Sequence, residues 1–206
     1  MSHDVTSLKD TIVPKSDQLN AEQLLSASMA ITVSSVTRGS GDQPVSVHYE
    51  GEDGRPFKPC KTMRKVLIFA WGDDGRKWVG KSMVLFNDPD VKFGGVKVGG
   101  IRISHMSDID RDLGLSLNTT KGKKGEFVIK KLPPMRPVEE LRRCLTESAS
   151  SGVNTLRGMW GKLNEFERML FADGVCPEDI KRKASDVDAG VPQNIDADAQ
   201  TNTDAA

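Results

Sequence analysis

Apolar and polar residues alternate with a period of two over much of residues 29–131, a pattern typical of half-buried β-strands. The first run covers 29–34, and a second passes through Val45, Val47 and Tyr49. Further β-like runs lie at 78–86, 91–93, 96–103, 113–120 and 127–131. Because Gly-rich turns separate several of these short runs, the pattern predicts a small barrel or sandwich.

Two segments near these strands have a different pattern. Asn20 and Gln23 have the spacing of a capping box, which predicts a short helix that ends near Ala27. The segment 61–71 is ambiguous. Its apolar positions 63, 66, 67 and 70 favour a helix that ends before Gly72, whereas its continuous apolar end equally fits a buried strand.

Beyond Pro133 the apolar spacing becomes helical. Val138, Leu141 and Leu145 predict one short helix, and Pro177 begins another that runs to about Lys183. Between them lies an apolar stripe formed by Leu156, Met159, Trp160, Leu163, Phe166 and Leu170. We expect this stripe to pack on the β-domain, with self-association and partner binding as alternatives.

These patterns divide the chain into four parts. They are a flexible leader at 1–19, a β-domain at 20–132, a helical segment at 133–183 and a tail at 184–206. The tail has no aromatic residue and is rich in Ala, Asp, Asn, Gln and Thr, which predicts disorder. The fold class is therefore expected to be α+β.

The formal net charge of the 206 residues is zero, but the charges are unevenly distributed. Residues 1–54 have 3 basic and 8 acidic side chains, whereas residues 55–136 have 18 basic and 8 acidic ones. Residues 137–183 are balanced, and residues 184–206 have 5 Asp and no basic residue. A basic middle followed by an acidic tail predicts a domain that binds a polyanion.

Other features of the sequence exclude several classes of protein. No apolar run approaches the roughly 20 residues of a membrane-spanning helix, and residues 1–13 lack the pattern of a secretory signal. The three cysteines, Cys60, Cys144 and Cys176, are far apart and odd in number, which is typical of reduced thiols. We therefore expect a cytoplasmic protein without membrane association.

The segment Gly75–Ser82 matches the P-loop expression, with Lys81 and Ser82 at the positions that contact phosphate and magnesium. A true P-loop follows a strand and begins a long helix. Here the residues that follow are β-like and end at Asn87-Asp88-Pro89. Nucleotide binding is therefore only an alternative, which predicts magnesium-dependent ATP binding that is lost in Lys81→Ala.

The remaining candidates for chemistry are weaker. Asp108, Asp110 and Asp112 resemble a cation-binding loop, but Leu113 and Thr119 occupy the positions where an EF-hand needs Gly and Glu. The histidines and Cys60 lack zinc-binding spacing. We therefore assign no catalytic residue, metal ligand or cofactor, and we do not expect an enzyme.

Basic residues interleaved with aromatic ones are the main functional feature of the β-domain. Proteins hold single-stranded nucleic acid in this way, because cations follow the phosphates while rings stack on bases. The hairpin tip Lys121–Gly125 is expected to be a phosphate-contacting finger. The candidate nucleic-acid-binding residues are Lys58, Lys61, Arg64, Arg76, Lys77, Trp78, Lys81, Phe93, Lys97, Arg102, Lys121, Lys123 and Lys124.

Several of these positions carry a resemblance to known proteins. The segments 78–81, 91–95, 101–103 and 58–64 resemble uncharacterised phage and prophage proteins found with recombination or replication functions, over roughly residues 20–131. The layout is also similar to that of single-stranded DNA-binding proteins, in which an OB-type barrel with an internal helix precedes an acidic tail. The tail of those proteins typically ends in an aromatic residue, whereas this chain ends in Asp204-Ala205-Ala206.

The expected function is therefore non-sequence-specific binding of single-stranded DNA in phage recombination or replication, in the cytoplasm of a bacterial host. The expected fold is an OB-like barrel followed by helices. A further candidate partner is a recombination or replication protein of the phage or the host. Assembly into a homo-oligomer is an open alternative. The alternative is a protein-interaction module, either an adaptor or an inhibitor of a host protein.

Overall fold

The structure, a computed structural model, describes residues 16–120, 123–171 and 174–190. The chain divides into two compact units. Of the described residues, the first contains those up to Met135 together with Gly174, and the second contains Arg136–Phe171 and Val175–Gly190. We call them the sheet unit and the helical unit.

A six-stranded sheet forms the sheet unit, with strand order β2-β1-β3-β6-β8-β7. Its strands are β1 (Met29–Arg38), β2 (Val45–Tyr49), β3 (Ser82–Asp88), β6 (Gly100–Met106), β7 (Leu113–Thr120) and β8 (Lys123–Lys131). Neighbouring strands are antiparallel except β6 and β8, which are parallel. Two short strands, β4 (Lys92–Phe93) and β5 (Val96–Lys97), form a separate antiparallel ribbon around the predicted Gly94-Gly95 turn.

The predicted α+β class is confirmed, but the sheet is open where a closed barrel was expected. Strands β2 and β7 are its two edges, and no ladder joins them within the described residues. Strand β8 pairs with β6 at only two positions, His105↔Lys130 and Met106↔Lys131. A closed barrel requires the last strand of the sheet to pair with the first, and β7 does not pair with β2 in the described residues.

The ambiguous segment 61–71 is a helix, α1 (Lys61–Trp71). Met63, Val66 and Leu67 are fully buried. A strand would place Val66 and Leu67 on opposite faces, whereas a helix brings both to the same side. Trp71 ends the helix, and its indole N–H donates to the Ser107 carbonyl at 2.8 Å.

Residues near the start of the described chain belong to the core of the sheet unit. Leu19, which we placed in the leader, is 4% exposed, and its backbone N–H donates to the Pro56 carbonyl at 3.0 Å. The predicted short helix is a single 3₁₀ turn, Ala21–Leu24. The Gln23 side chain accepts from the Asn20 backbone N–H at 2.9 Å, so part of the predicted capping box forms.

The helical unit contains α2 (Val138–Ala149), α3 (Val153–Lys162), α4 (Glu165–Met169) and α5 (Glu178–Asp188). The predicted apolar stripe is divided between α3 and α4, because Leu163 has extended backbone and Asn164 begins a new helix. Its buried members pack with α2 and α5 residues in the core of the helical unit. Packing of the stripe on the β-domain stays a prediction. No helix in the described ranges is long and apolar enough to cross a membrane.

Helix α5 continues beyond the predicted start of the disordered tail. Ala184 is fully buried, and the helix ends at Asp188. The Asp188 carboxylate accepts from the Val153 backbone N–H at 3.1 Å, at the first turn of α3. Residues 184–188 are therefore part of the fold, whereas 191–206 lie outside the described residues.

Candidate nucleic-acid interface

The solvent face of α1 combines cations with an exposed aromatic ring. Lys61, Lys65 and Phe69 follow each other at intervals of four residues, so they lie along one face of the helix. Both lysines are exposed, and Phe69 is 64% exposed. Stability alone does not explain Lys61, because a cation in the first turn opposes the helix macrodipole.

No acidic residue occurs in α1 to balance these charges. Arg64, also on α1, is half-buried and is held by backbone oxygens instead of a carboxylate. Its Nη1 donates to the Asp42 carbonyl at 3.1 Å and to the Pro59 carbonyl at 3.4 Å. The N-terminal half of α1 is therefore a basic surface, with Phe69 toward its C-terminal end.

Phe69 was absent from our candidates because the sequence left open whether 61–71 is a helix or a strand, and therefore which of its side chains face solvent. Helical spacing places it away from Met63, Val66 and Leu67, which face the core. Reading 61–71 as a helix would have identified the ring as exposed. The sequence therefore contained the information that Phe69 is exposed, but only for a reader who had assigned 61–71 to a helix.

Most of the aromatic rings that lie among the basic residues of the β-domain are buried in its core. Tyr49, Phe57, Trp71 and Trp78 are all at most 7% exposed. Trp78 packs against Trp71 with ring centroids 6.2 Å apart, and its indole N–H donates to the Gly72 carbonyl at 2.9 Å. Trp78, a candidate for base stacking, therefore has no free ring face.

The residues that match the P-loop expression do not have the context that phosphate binding needs. A helix, α1, precedes them and a strand, β3, follows them, which reverses the required order. The Ser82 hydroxyl lies 2.9 Å from the Thr32 hydroxyl and is used within the sheet. Lys81 extends its ammonium group over the Trp71 ring, 5.6 Å from the centroid.

Several candidate cations already have carboxylate partners. Arg76 Nε donates to Asp74 at 2.9 Å, and Lys97 Nζ donates to Asp90 at 2.6 Å. These hydrogen bonds hold the pKa of Asp74 and the pKa of Asp90 below their ordinary values. In contrast, Lys61, Lys77 and Lys124 are exposed, and none of them forms an ion pair with another described residue.

Two further candidates, Lys58 and Arg102, line a cleft of about 370 Å³ in the sheet unit. Lys58 Nζ donates to Asp17 at 2.6 Å, which lowers the pKa of that carboxyl group. The Arg102 guanidinium lies over the Phe127 ring, 5.3 Å from its centroid, and donates to Asp88 at 3.4 Å. Lys92 lines the same cleft and was not among our candidates.

The predicted finger at 121–125 is only partly described. Lys121 lies outside the described residues, and so do the side chains of Lys123 and Phe93. Lys124 is exposed on β8 and pairs in register with Asn118 of β7. Phosphate contact by this hairpin stays a prediction.

The acidic turn at 108–112 has structural roles. Asp112 accepts from the Lys131 backbone N–H at 2.8 Å, and Asp108 accepts from the Ser107 hydroxyl. Within the described ranges, no group of three or more His, Cys, Asp or Glu side chains is arranged to hold a metal ion. The turn therefore joins β6 to β7 along the chain and is hydrogen-bonded to the end of β8.

Comparison of the chain with protein-family models, with curated proteins and with solved structures finds no match in any of the three. The binding function is therefore inferred from the arrangement of side chains.

Proposed function

We propose that this protein binds single-stranded nucleic acid without sequence specificity, and that the solvent face of α1 is its contact surface. The observation that carries the proposal is the exposed Phe69 ring in line with Lys61 and Lys65, on a helix without acidic residues. Single strands are held by this combination, because every base has a face that stacks and every nucleotide has a phosphate.

The contributions of the two kinds of residue differ. Stacking of one base on an aromatic ring contributes roughly 1–3 kcal/mol, and it tolerates any base. Each lysine that neutralises a phosphate releases condensed counterions, so its contribution falls as salt rises. Lys61 and Lys65 therefore supply salt-dependent capture, while Phe69 supplies a contribution that salt changes little.

A titration of a fluorescent oligothymidylate at low salt tests the proposal. We expect Phe69→Ala to weaken binding by about 5- to 150-fold, the equivalent of one lost stacked base. Phe69→Leu keeps an apolar side chain without a ring and is expected to weaken binding nearly as much. Val128→Ala, which shortens an apolar side chain that is 62% exposed in β8, is the matched control.

Two results would contradict the proposal. One is the absence of oligonucleotide binding by the unaltered protein at low salt. The other is unchanged affinity in Phe69→Ala. Single strands of DNA and of RNA are titrated side by side, because the α1 surface favours neither.

A protein partner is the second candidate, and the observation in its favour is Ile68, which is 48% exposed beside Phe69. Two adjacent exposed apolar residues also fit the centre of a protein interface. If this chain is an adaptor or inhibitor, a pull-down with it should capture the host protein, and Phe69→Ala should abolish that capture. The unaltered chain should then have no affinity for the oligonucleotide. A role in phage recombination or replication within a bacterial cytoplasm belongs to the main proposal and follows from the resemblance described above.

A further inference from the structure

The cleft in the sheet unit has a composition that neither the α1 surface nor its stacking ring explains. It is formed by residues from several separate segments, which include 18–21, 57–60 and 98–102. Its charged lining residues are Lys58, Lys92 and Arg102, and no carboxylate among the described residues lines it. Three cations around one cavity form a site for an anion.

The three cations differ in how firmly they are held. Arg102 is 12% exposed and is fixed between Phe127 and Asp88, so its guanidinium is already positioned. Lys58, whose side chain is 20% exposed, pairs with Asp17, which is 84% exposed, and an ion pair with one partner in solvent contributes little to stability. A ligand anion can therefore displace Asp17 at small cost.

Lys92 is placed unfavourably for stability alone. It lies directly opposite Lys97 in the β4–β5 ribbon, and like charges at such positions are destabilising. Asp90 compensates Lys97 at 2.6 Å, while Lys92 has no ion pair with another described residue. An anion in the cleft would compensate the second lysine.

Amide side chains add a second kind of chemistry. Gln18, Asn20 and Gln43 also line the cleft. The Asn20 Nδ2 group is buried and has no hydrogen-bond partner among the described residues. Because a buried donor without a partner is costly, an acceptor atom of a ligand would stabilise it. Amide groups of this kind form hydrogen bonds with the edges of bases.

The remainder of the lining is largely apolar, and the volume of about 370 Å³ lies in the range of small-ligand sites. From these observations we infer that the cleft binds a nucleoside monophosphate group, with the cations on the phosphate and the amides on the base. The group is either the phosphorylated end of a strand or a free nucleotide. The strand-end form rests on the proposed function.

Oligothymidylates with and without a terminal phosphate, at either end, test the strand-end form. We expect the unaltered protein to bind one phosphorylated form about tenfold more tightly, and Lys58→Gln/Lys92→Gln to abolish this preference. Lys61→Gln/Lys65→Gln is the matched control, and it should weaken binding of all forms by the same factor. The inference would be overturned if phosphorylated and unphosphorylated oligothymidylates bind equally and thymidine monophosphate does not bind. The proposed function would remain intact in that case.

Thymidine monophosphate, with thymidine as its control, tests the free-nucleotide form without any strand. Cys60 lines the cleft, and its sulfur lies 3.7 Å from Arg102 Nη1. We expect the monophosphate, but not thymidine, to slow alkylation of Cys60 by iodoacetamide and to leave Cys144 unaffected. Lys58→Gln/Lys92→Gln should remove this protection. Protection in a protein that binds no oligonucleotide would support the inference while contradicting the proposed function.

Discussion

Glu167 is a buried carboxylate of the helical unit, with 5% of its surface exposed. Arg136 binds it with two hydrogen bonds, Nε to Oε1 at 2.8 Å and Nη2 to Oε2 at 3.0 Å. The Asn164 backbone N–H donates to the same carboxylate at 3.1 Å. The bond from Arg136 is the main reason that the pKa of Glu167 lies below its ordinary value.

The lowered pKa of Glu167 gives the stability of the helical unit a predictable pH dependence. The paired carboxylate stabilises the folded state fully above the pKa of the unfolded chain, and this contribution is lost as pH falls through the folded pKa. We expect Glu167→Gln to lower the free energy of unfolding by about 2 kcal/mol at neutral pH. The difference from the unaltered protein should shrink below about pH 4.

Hydrogen–deuterium exchange of peptides from residues 136–171 measures this difference in the unit concerned. Glu165→Gln is the matched control, because Glu165 is an exposed neighbour without an ion pair among the described residues. Equal loss of protection in Glu167→Gln at neutral and at acidic pH would contradict the assignment.

At the scale of elements, the junction of α2 and α3 depends on one glycine. Gly152 has φ +92°, a backbone conformation that favours glycine, and a β-carbon there would collide with the Asp188 carboxylate. This carboxylate accepts from the Val153 backbone N–H and so satisfies a free donor in the first turn of α3. The start of α3 therefore depends on a side chain at the end of α5.

Two glycine substitutions in this region should have opposite effects. Gly152→Ala is expected to lower the free energy of unfolding by more than about 1–2 kcal/mol, because backbone strain and the clash with Asp188 add. Gly158→Ala, within α3, meets open space and should stabilise the helix by about 0.5–1 kcal/mol. Urea denaturation followed by circular dichroism measures both changes, and a stabilising Gly152→Ala would contradict the described junction.

At the scale of the whole molecule, the excess of basic residues belongs to the sheet unit, while 137–183 are balanced. Binding to a single strand should therefore weaken with salt, by about 0.7 logarithmic units of affinity per logarithmic unit of salt for each phosphate neutralised. Lys61→Gln/Lys65→Gln should reduce this slope by about 1.4. Arg142→Gln/Arg143→Gln, in the helical unit, should leave it unchanged, and an equal reduction there would contradict the location of the interface.

The residues that form the core were largely predictable, because period-two and helical spacing directly report which side chains face inward. Strands β1, β2, β7 and β8, the Gly94-Gly95 ribbon and the change to helices after Pro133 all follow from this spacing. The site was less predictable. Exposure of Phe69 and burial of Trp78 depend on the helical phase of α1 and on the 3₁₀ turn at Gly75–Trp78.

The sequence by itself therefore determined the α+β class, the local periodicity and the concentration of cations in residues 55–136. These properties depend on neighbours along the chain, so local spacing and composition reveal them. The tertiary structure decided that the sheet stays open and that Lys58, Lys92 and Arg102 line one cleft. It also decided that Asp188 caps α3, at a distance of 35 residues along the chain. Strand order and contacts of this kind join residues distant in sequence, and no periodicity encodes them.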